Sequence, residues 1–271
     1  MINTLFNTFN QIMIIMRRAK ILELPVQVLC TIFLIITTLS PVRSQDKETV
    51  RLLEFRYGFH LPAGDFADRF GPSSNLGAQV MTVSYNNNLF AGIDGMFLFG
   101  GEVREDVLAR LRSFDGVIIT NNGAAADVSL KERGYYIGLN AGKVFKTTEN
   151  ANNLTGFRVQ IGGGFMQHKI RVQDNFQNVE ALAGDYLKGY DRLTNGPAAH
   201  IALGYHYQSP RNNLHFALMT DFYGGFTKSR REFDFAELAY LDKARFDVLA
   251  GVTLAYIVTI SRSTTSSEIY Y

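Results

Sequence analysis

The sequence predicts an all-β chain, an eight-stranded antiparallel up-and-down transmembrane β-barrel with short periplasmic turns and long extracellular loops. Three observations carry that expectation. Segments of about 10–12 residues alternate oily and polar side chains with period two, near the length that crosses a bilayer at a tilt. The connections between them alternate short and long along the chain, the asymmetry of barrels that sit in an outer membrane. Aromatic residues gather at the strand ends, where rings sit at headgroup level.

The strands are expected in this order. The first, 52–61, reads "LLEFRYGFHL", with Leu53, Phe55, Tyr57, Phe59 and Leu61 on one side and Glu54, Arg56 and His60 on the other. The second covers 75–85 and the third 89–99, where Asp94 opposes Ile93, Phe97 and Phe99. The fourth runs 135–145 and the fifth 157–168, with Arg158, Gln160 and His168 opposite Phe157, Val159, Ile161 and Phe165. The sixth is 198–208. The seventh lies in "NLHFALMTDFYGGF", 213–226, where Leu214, Phe216, Leu218, Thr220 and Phe222 oppose His215, Ala217, Met219, Asp221 and Tyr223. The eighth is 245–256, with Arg245 and Asp247 opposing Phe246 and Val248. The glycines of "IGGGF" lie inside a strand, so they are read as relief for close neighbours and not as a phosphate loop.

Residues 86–88, 146–153 and 209–213 are the expected short turns. The long connections are 100–134, 169–197 and 224–244, with a shorter one at 62–74. Within 100–134, "REDVLARLRS" suits a helical turn with Val107, Leu108 and Leu111 on one side. One aromatic girdle is expected from Tyr85, Phe90, Phe145, Phe157, Tyr207, Phe216 and Tyr256, toward the short turns. The other comprises Phe59, Phe99, Tyr135, Phe165, Phe222 and Phe246.

The first 44 residues read as a secretory signal peptide. Arg17, Arg18 and Lys20 precede the apolar run "VQVLCTIFLIITTL", and Val42 and Ser44 stand at −3 and −1 of a cleavage before Gln45. The stretch before Met16 is long for such a leader, which suggests a start at Met13 or Met16. Cys30, the only cysteine, lies in this run, so the exported chain is expected to lack thiol and disulfide chemistry. The barrel is expected over 45–258 and a periplasmic tail over 259–271.

With a net charge of +2 and no concentrated basic surface, the chain shows no nucleic-acid signature. It has 24 glycines, 21 phenylalanines and 13 tyrosines but no tryptophan. No apolar run after the leader is long enough for a membrane helix.

Eight strands enclose an interior just wide enough for side chains to fill. The polar residues expected inside are Glu54, Arg56, His60, Gln79, Asp94, Asn140, Lys143, Arg158, Gln160, His168, His200, His206, His215, Asp221, Arg245 and Asp247. Opposite charges there should pair, because an unpaired buried charge is costly. A turn closed by Gln208 and Asn213 would set His206 opposite His215 and His200 opposite Asp221. That set is too scattered for a firm metal site. His60 and His168, with Asp65, Asp68 and Ser73 near the long-loop rim, show no spacing that singles out a nucleophile and its base. No cofactor and no catalytic residue is expected.

In strand number, patterning and loop asymmetry over residues 50–256, the chain resembles the small eight-stranded outer-membrane β-barrels. That family is typified by the transmembrane domain of outer membrane protein A and by outer membrane protein X, and in style the chain is similar to the barrels of Bacteroidota envelopes. The resemblance rests on topology without a diagnostic motif. It implies a non-enzymatic barrel in outer-membrane lipid and lipopolysaccharide that meets envelope partners through loops 100–134, 169–197 and 224–244. Mixed charge and aromatics in "GYDRLTNGPAAH" and "TKSRREFDFAELAYLDKA" suit such contacts. A narrow channel or small-ligand carrier, and a lipid-modifying enzyme, are the alternatives.

Overall fold

The computed structural model describes residues 49–148, 153–176, 179–209, 215–241 and 243–263. The expected signal peptide, Cys30 and the last part of the expected tail lie outside the described residues, as do 149–152 and 210–213 of the expected short turns and Leu214 of the expected seventh strand.

Eight strands close into a barrel in which each pairs antiparallel with its sequence neighbours and the last returns to the first. They are β1 (Thr49–Gly64), β2 (Ser73–Ser84), β3 (Leu89–Gly100), β4 (Val128–Lys146), β5 (Gly156–Asp174), β6 (Thr194–Gln208), β7 (His215–Ser229) and β8 (Ala244–Ser263). Closure leaves no open sheet edge, so every strand spends its backbone donors and acceptors on two partners. At Gly164 in β5 the neighbouring backbone comes so close that an added Cβ would collide with the carbonyl oxygen of Ile137.

The period-two pattern maps directly onto the wall. In β7, Phe216, Leu218, Thr220 and Phe222 are exposed on the outside, while His215, Ala217, Met219, Asp221 and Tyr223 are buried inside. The outer surface is correspondingly oily on every strand, from Phe55 and Tyr57 in β1 to Leu254 and Tyr256 in β8.

Several boundaries differ from the sequence reading. β4 begins at Val128 and β5 ends at Asp174, because Val128–Gly134 pairs with His168–Asp174 and carries the sheet past the oily belt. Those residues, "VSLKERG" and "HKIRVQD", are too polar to show an oily face, so they read as loop. β8 continues five residues past the expected barrel end at 258. Thr259, Ser261, Arg262 and Ser263 pair with β1, with a bulge opposite Arg51 and Leu52. The register of β6 with β7 is also displaced by two residues: Gln208 pairs with His215, His206 with Ala217, and His200 with Tyr223. The connection is longer than the expected turn at 209–213, and an even shift keeps every side chain on its face.

Two side chains change sides. Phe90, expected in the outer girdle, shares parity with Asp94 and is buried inside. Lys143, expected in the lumen, shares parity with Leu139 and Phe145 and is exposed outside.

The long connections fold over one end. Gly64, at a φ of 58° that favours glycine, breaks β1 and starts the short helix α1 (Asp65–Arg69). Phe66 and Phe70 turn inward and join Val107, Leu108, Ile118, Val179, Leu182 and Tyr190 in one buried cluster. The segment expected as a helical turn forms a 3₁₀ turn at Ala109–Leu111, with Val107 and Leu108 buried and Leu111 partly buried.

Candidate functional site

The lumen is built from strand residues whose alternation aims them inward, and it falls into three levels. At the short-turn end the filling is apolar: Val50, Leu52, Met81, Val83, Phe90 and Val144 pack together. His206 and His215 lie at this level with ring centroids 6.3 Å apart and planes at 74°. Among the described residues, neither ring nitrogen of His206 has a hydrogen-bond partner. The guanidinium of Arg158 covers the Phe90 ring at 4.7 Å, joining the oily level to the ionic one above it.

The middle level is a connected polar network. Arg158 donates to Glu54 at 2.6 Å, to Gln160 at 2.6 Å and to Gln79 at 3.2 Å, and Gln79 donates to Asn140 at 2.9 Å. Arg56 donates to Asp221 at 2.9 Å and to Asp94 at 3.3 Å, and its Nε lies 3.7 Å from Glu54. His200 meets Asp221 at 2.9 Å through Nε2 and stacks on Tyr223 at 4.1 Å between ring centroids. Its Nδ1 lies 3.6 Å from Asp94. Three carboxylates thus face two guanidiniums and an imidazole within one buried cluster. A single unpaired charge there would cost several kcal/mol (roughly 3–5), which is why these groups interlock.

The upper level lies beneath α1. Asn75 Nδ2 and His60 Nδ1 are 2.8 Å apart, and His168 Nε2 meets Asp247 Oδ2 at 2.8 Å. Thr227 donates to Asp247, and Arg245 approaches the same carboxylate at 3.4 Å. Phe66 and Phe70 close over His168 with centroids 4.7 and 5.6 Å from its ring. Arg245 also donates to the carbonyl of Asp65, and the backbone N–H of Phe246 donates to the Asp65 carboxylate at 2.6 Å. Helix α1 is thereby tied down on the barrel mouth.

Above it the cap has its own ionic hub, which the sequence reading did not single out. Arg192 pairs with Glu105, with Asp234 at 2.9 Å and with Glu237 at 2.9 Å, joining three connections. Burial works against its charge, but Glu105, Asp234 and Glu237 outweigh it and hold its pKa above the ordinary arginine value. Arg69 donates to Thr194 at 2.9 Å, to the carbonyl of Arg192 at 3.2 Å and to Glu105 at 3.1 Å. Burial and nearby Arg245 pull its pKa down to about 10, which leaves it charged at neutral pH. Arg231 grips Asp191 through two bonds of 2.7 and 2.5 Å. The signal available in the sequence was an excess of oily residues in otherwise charged loops.

The network residues Glu54, Arg56, Asp94, Arg158, His200 and Asp221 come together in one cluster. His206 and His215 form a separate pair, and Arg245 with Asp247 belongs to the upper level. Ser73 of the rim donates to Glu132 at 2.5 Å, and His168 is engaged with Asp247 beneath two phenylalanines. Among the described residues, no three His, Cys, Asp or Glu side chains converge to hold a metal ion.

No family model and no curated protein matches the chain. Its fold is similar to that of solved structures. Neisserial surface protein A is 8% identical with a TM-score of 0.39, over 78% of this chain and 97% of that one. Ail, the attachment invasion locus protein of Yersinia pestis, in complex with the heparin analogue sucrose octasulfate, is 11% identical with a TM-score of 0.38, over 79% and 99%. The outer membrane protein OprG from Pseudomonas aeruginosa is 10% identical with a TM-score of 0.33, over 78% and 95%. At these identities the likeness concerns strand arrangement, and function has to be argued from this chain's own residues.

Proposed function

We propose that the protein is an outer-membrane β-barrel that acts as a structural and interaction protein, anchored by its wall and engaging partners through its long connections. The observation that carries this reading is the polarity across the wall. Oily side chains cover the outside of all eight strands, while Arg56, Arg158, Glu54, Asp94 and Asp221 are buried inside. A barrel surrounded by water would expose charge and bury oil; a barrel in lipid does the reverse. Lipid is then the solvent of the wall, and lipopolysaccharide surrounds the rim at the long-loop end.

The linked ion pairs and the cap favour a closed barrel over a channel. The cap also supplies a surface for recognition: Phe114, Ile119, Tyr186, Leu238 and Tyr240 are exposed at loop positions beyond the packed cluster. Leu238 holds a φ of 55°, an uncommon and strained conformation for leucine, within a turn bridged by Asp234 and Ala239. A rigid oily tip in a charged surround suits a protein partner within the envelope, such as an assembly to which this barrel is an accessory.

Cysteine scanning tests this reading, because the chain has a single cysteine, Cys30, within the expected leader. In intact cells an impermeant maleimide should label Phe114→Cys and Leu238→Cys but spare Asn87→Cys at a short turn. A photo-crosslinking residue at 114 or 240 should give a discrete protein adduct, and one at Phe55 should not. Labelling at 87 with none at 114 or 238 would contradict the orientation. Absence of adducts at both tips would contradict the interaction role.

A further inference from the structure

We infer that the outer wall near the short-turn end holds one anionic glycerophospholipid, its acyl chain in a groove across β1–β5 and its phosphate at Lys143; this rests on the membrane reading above. The groove is a shallow, open depression of about 670 Å³ on the outer face. Its floor is low because Ala91 and Ala141 stand side by side in register, where the next outward row toward mid-wall carries Ile93 and Leu139. Leu89, Phe145 and Ile161 wall it. A straight hydrocarbon chain is the natural occupant of such a trough on a surface bathed in lipid.

The charge pattern identifies the headgroup class. Lys143 lies in the groove lining, exposed on an oily wall, with its ammonium 5.5 Å from the Phe145 ring centroid. Arg51 is a second outward cation, in register with Thr82 at the far side of the same groove. The outward-facing positions of β1–β5 carry no aspartate or glutamate. A cation on the lipid face is costly unless it reaches the interface or a counter-charge, and a phosphate beside the groove satisfies both conditions. Two cations with no acidic neighbour among the described outward-facing strand residues favour a headgroup with net negative charge over a zwitterionic one. The short-turn end faces the periplasm in the proposed orientation, so the source is the glycerophospholipid of that leaflet and not lipopolysaccharide.

Native mass spectrometry of the detergent-solubilised barrel provides the test, with phosphatidylglycerol and phosphatidylcholine of equal chain length as probes. A single phosphatidylglycerol should be retained, and phosphatidylcholine should not. Lys143→Gln should weaken retention by about five- to tenfold. Ala141→Leu, which fills the groove from the lipid side, should abolish it. Both variants should keep the heat-modifiable gel migration of a folded barrel. Equal retention of the two lipids, no effect of either substitution, or displacement by inorganic phosphate would overturn the inference. Failure of the membrane reading would be distinguishable, because spin labels at 216, 218 and 222 of the unsubstituted protein would then be shielded from lipid-soluble oxygen.

Discussion

Arg56 is the residue on which the lumen depends most, since it reaches three carboxylates: Asp94 and Asp221, which His200 also approaches, and Glu54. Arg56→Met should destabilise the barrel by about 3–5 kcal/mol, because it strands buried carboxylates; urea titration in micelles, followed by gel mobility, measures it. His206 gives the opposite expectation. With neither ring nitrogen bonded among the described residues, and with oily side chains filling most of its level, His206→Leu should be neutral or stabilising by up to about 1 kcal/mol. A marked loss of stability would mean that the imidazole has a partner of its own. At this scale the sequence revealed which face a residue occupies, because alternation is local. It misassigned Phe90 and Lys143, where composition suggested a side that parity denies. It also could not pair Arg56 with Asp221, whose contact depends on the stagger of strands far apart in the chain.

At the scale of elements, β7 shows how much the wall asks of each position. Leu218→Arg should cost about 2–4 kcal/mol if that face meets lipid near mid-bilayer, and Met219→Gln should cost less because inward polar groups can take up the amide. Helix α1 is different, since its role is to carry two phenylalanines into the mouth. Phe66→Ala should loosen the cap by about 3–5 kcal/mol while leaving the strands intact; faster hydrogen exchange confined to the cap amides would record it. Strands were legible because oil and water alternate along them. The cap was not, because its buried residues (Phe66, Phe70, Val107, Leu182) come from separate loops and follow no period. Only "REDVLARLRS" announced itself, and it forms a shorter turn than its pattern suggested.

At the largest scale, the described residues form a barrel with oil outside, ion pairs within and a folded cap across one mouth. Such a body should insert into planar bilayers without steady conductance, and a stable open current would assign it to the channel class. The central claim is that lipid bathes the outer wall, and collision measurements on single spin labels test it most directly. Labels at positions 216, 218 and 222 should meet lipid-soluble oxygen and be shielded from an aqueous nickel reagent. Labels at 217 and 219, which point into the filled lumen, should be shielded from both. Shielding from oxygen at 216, 218 and 222, or free access of nickel there, would contradict the account.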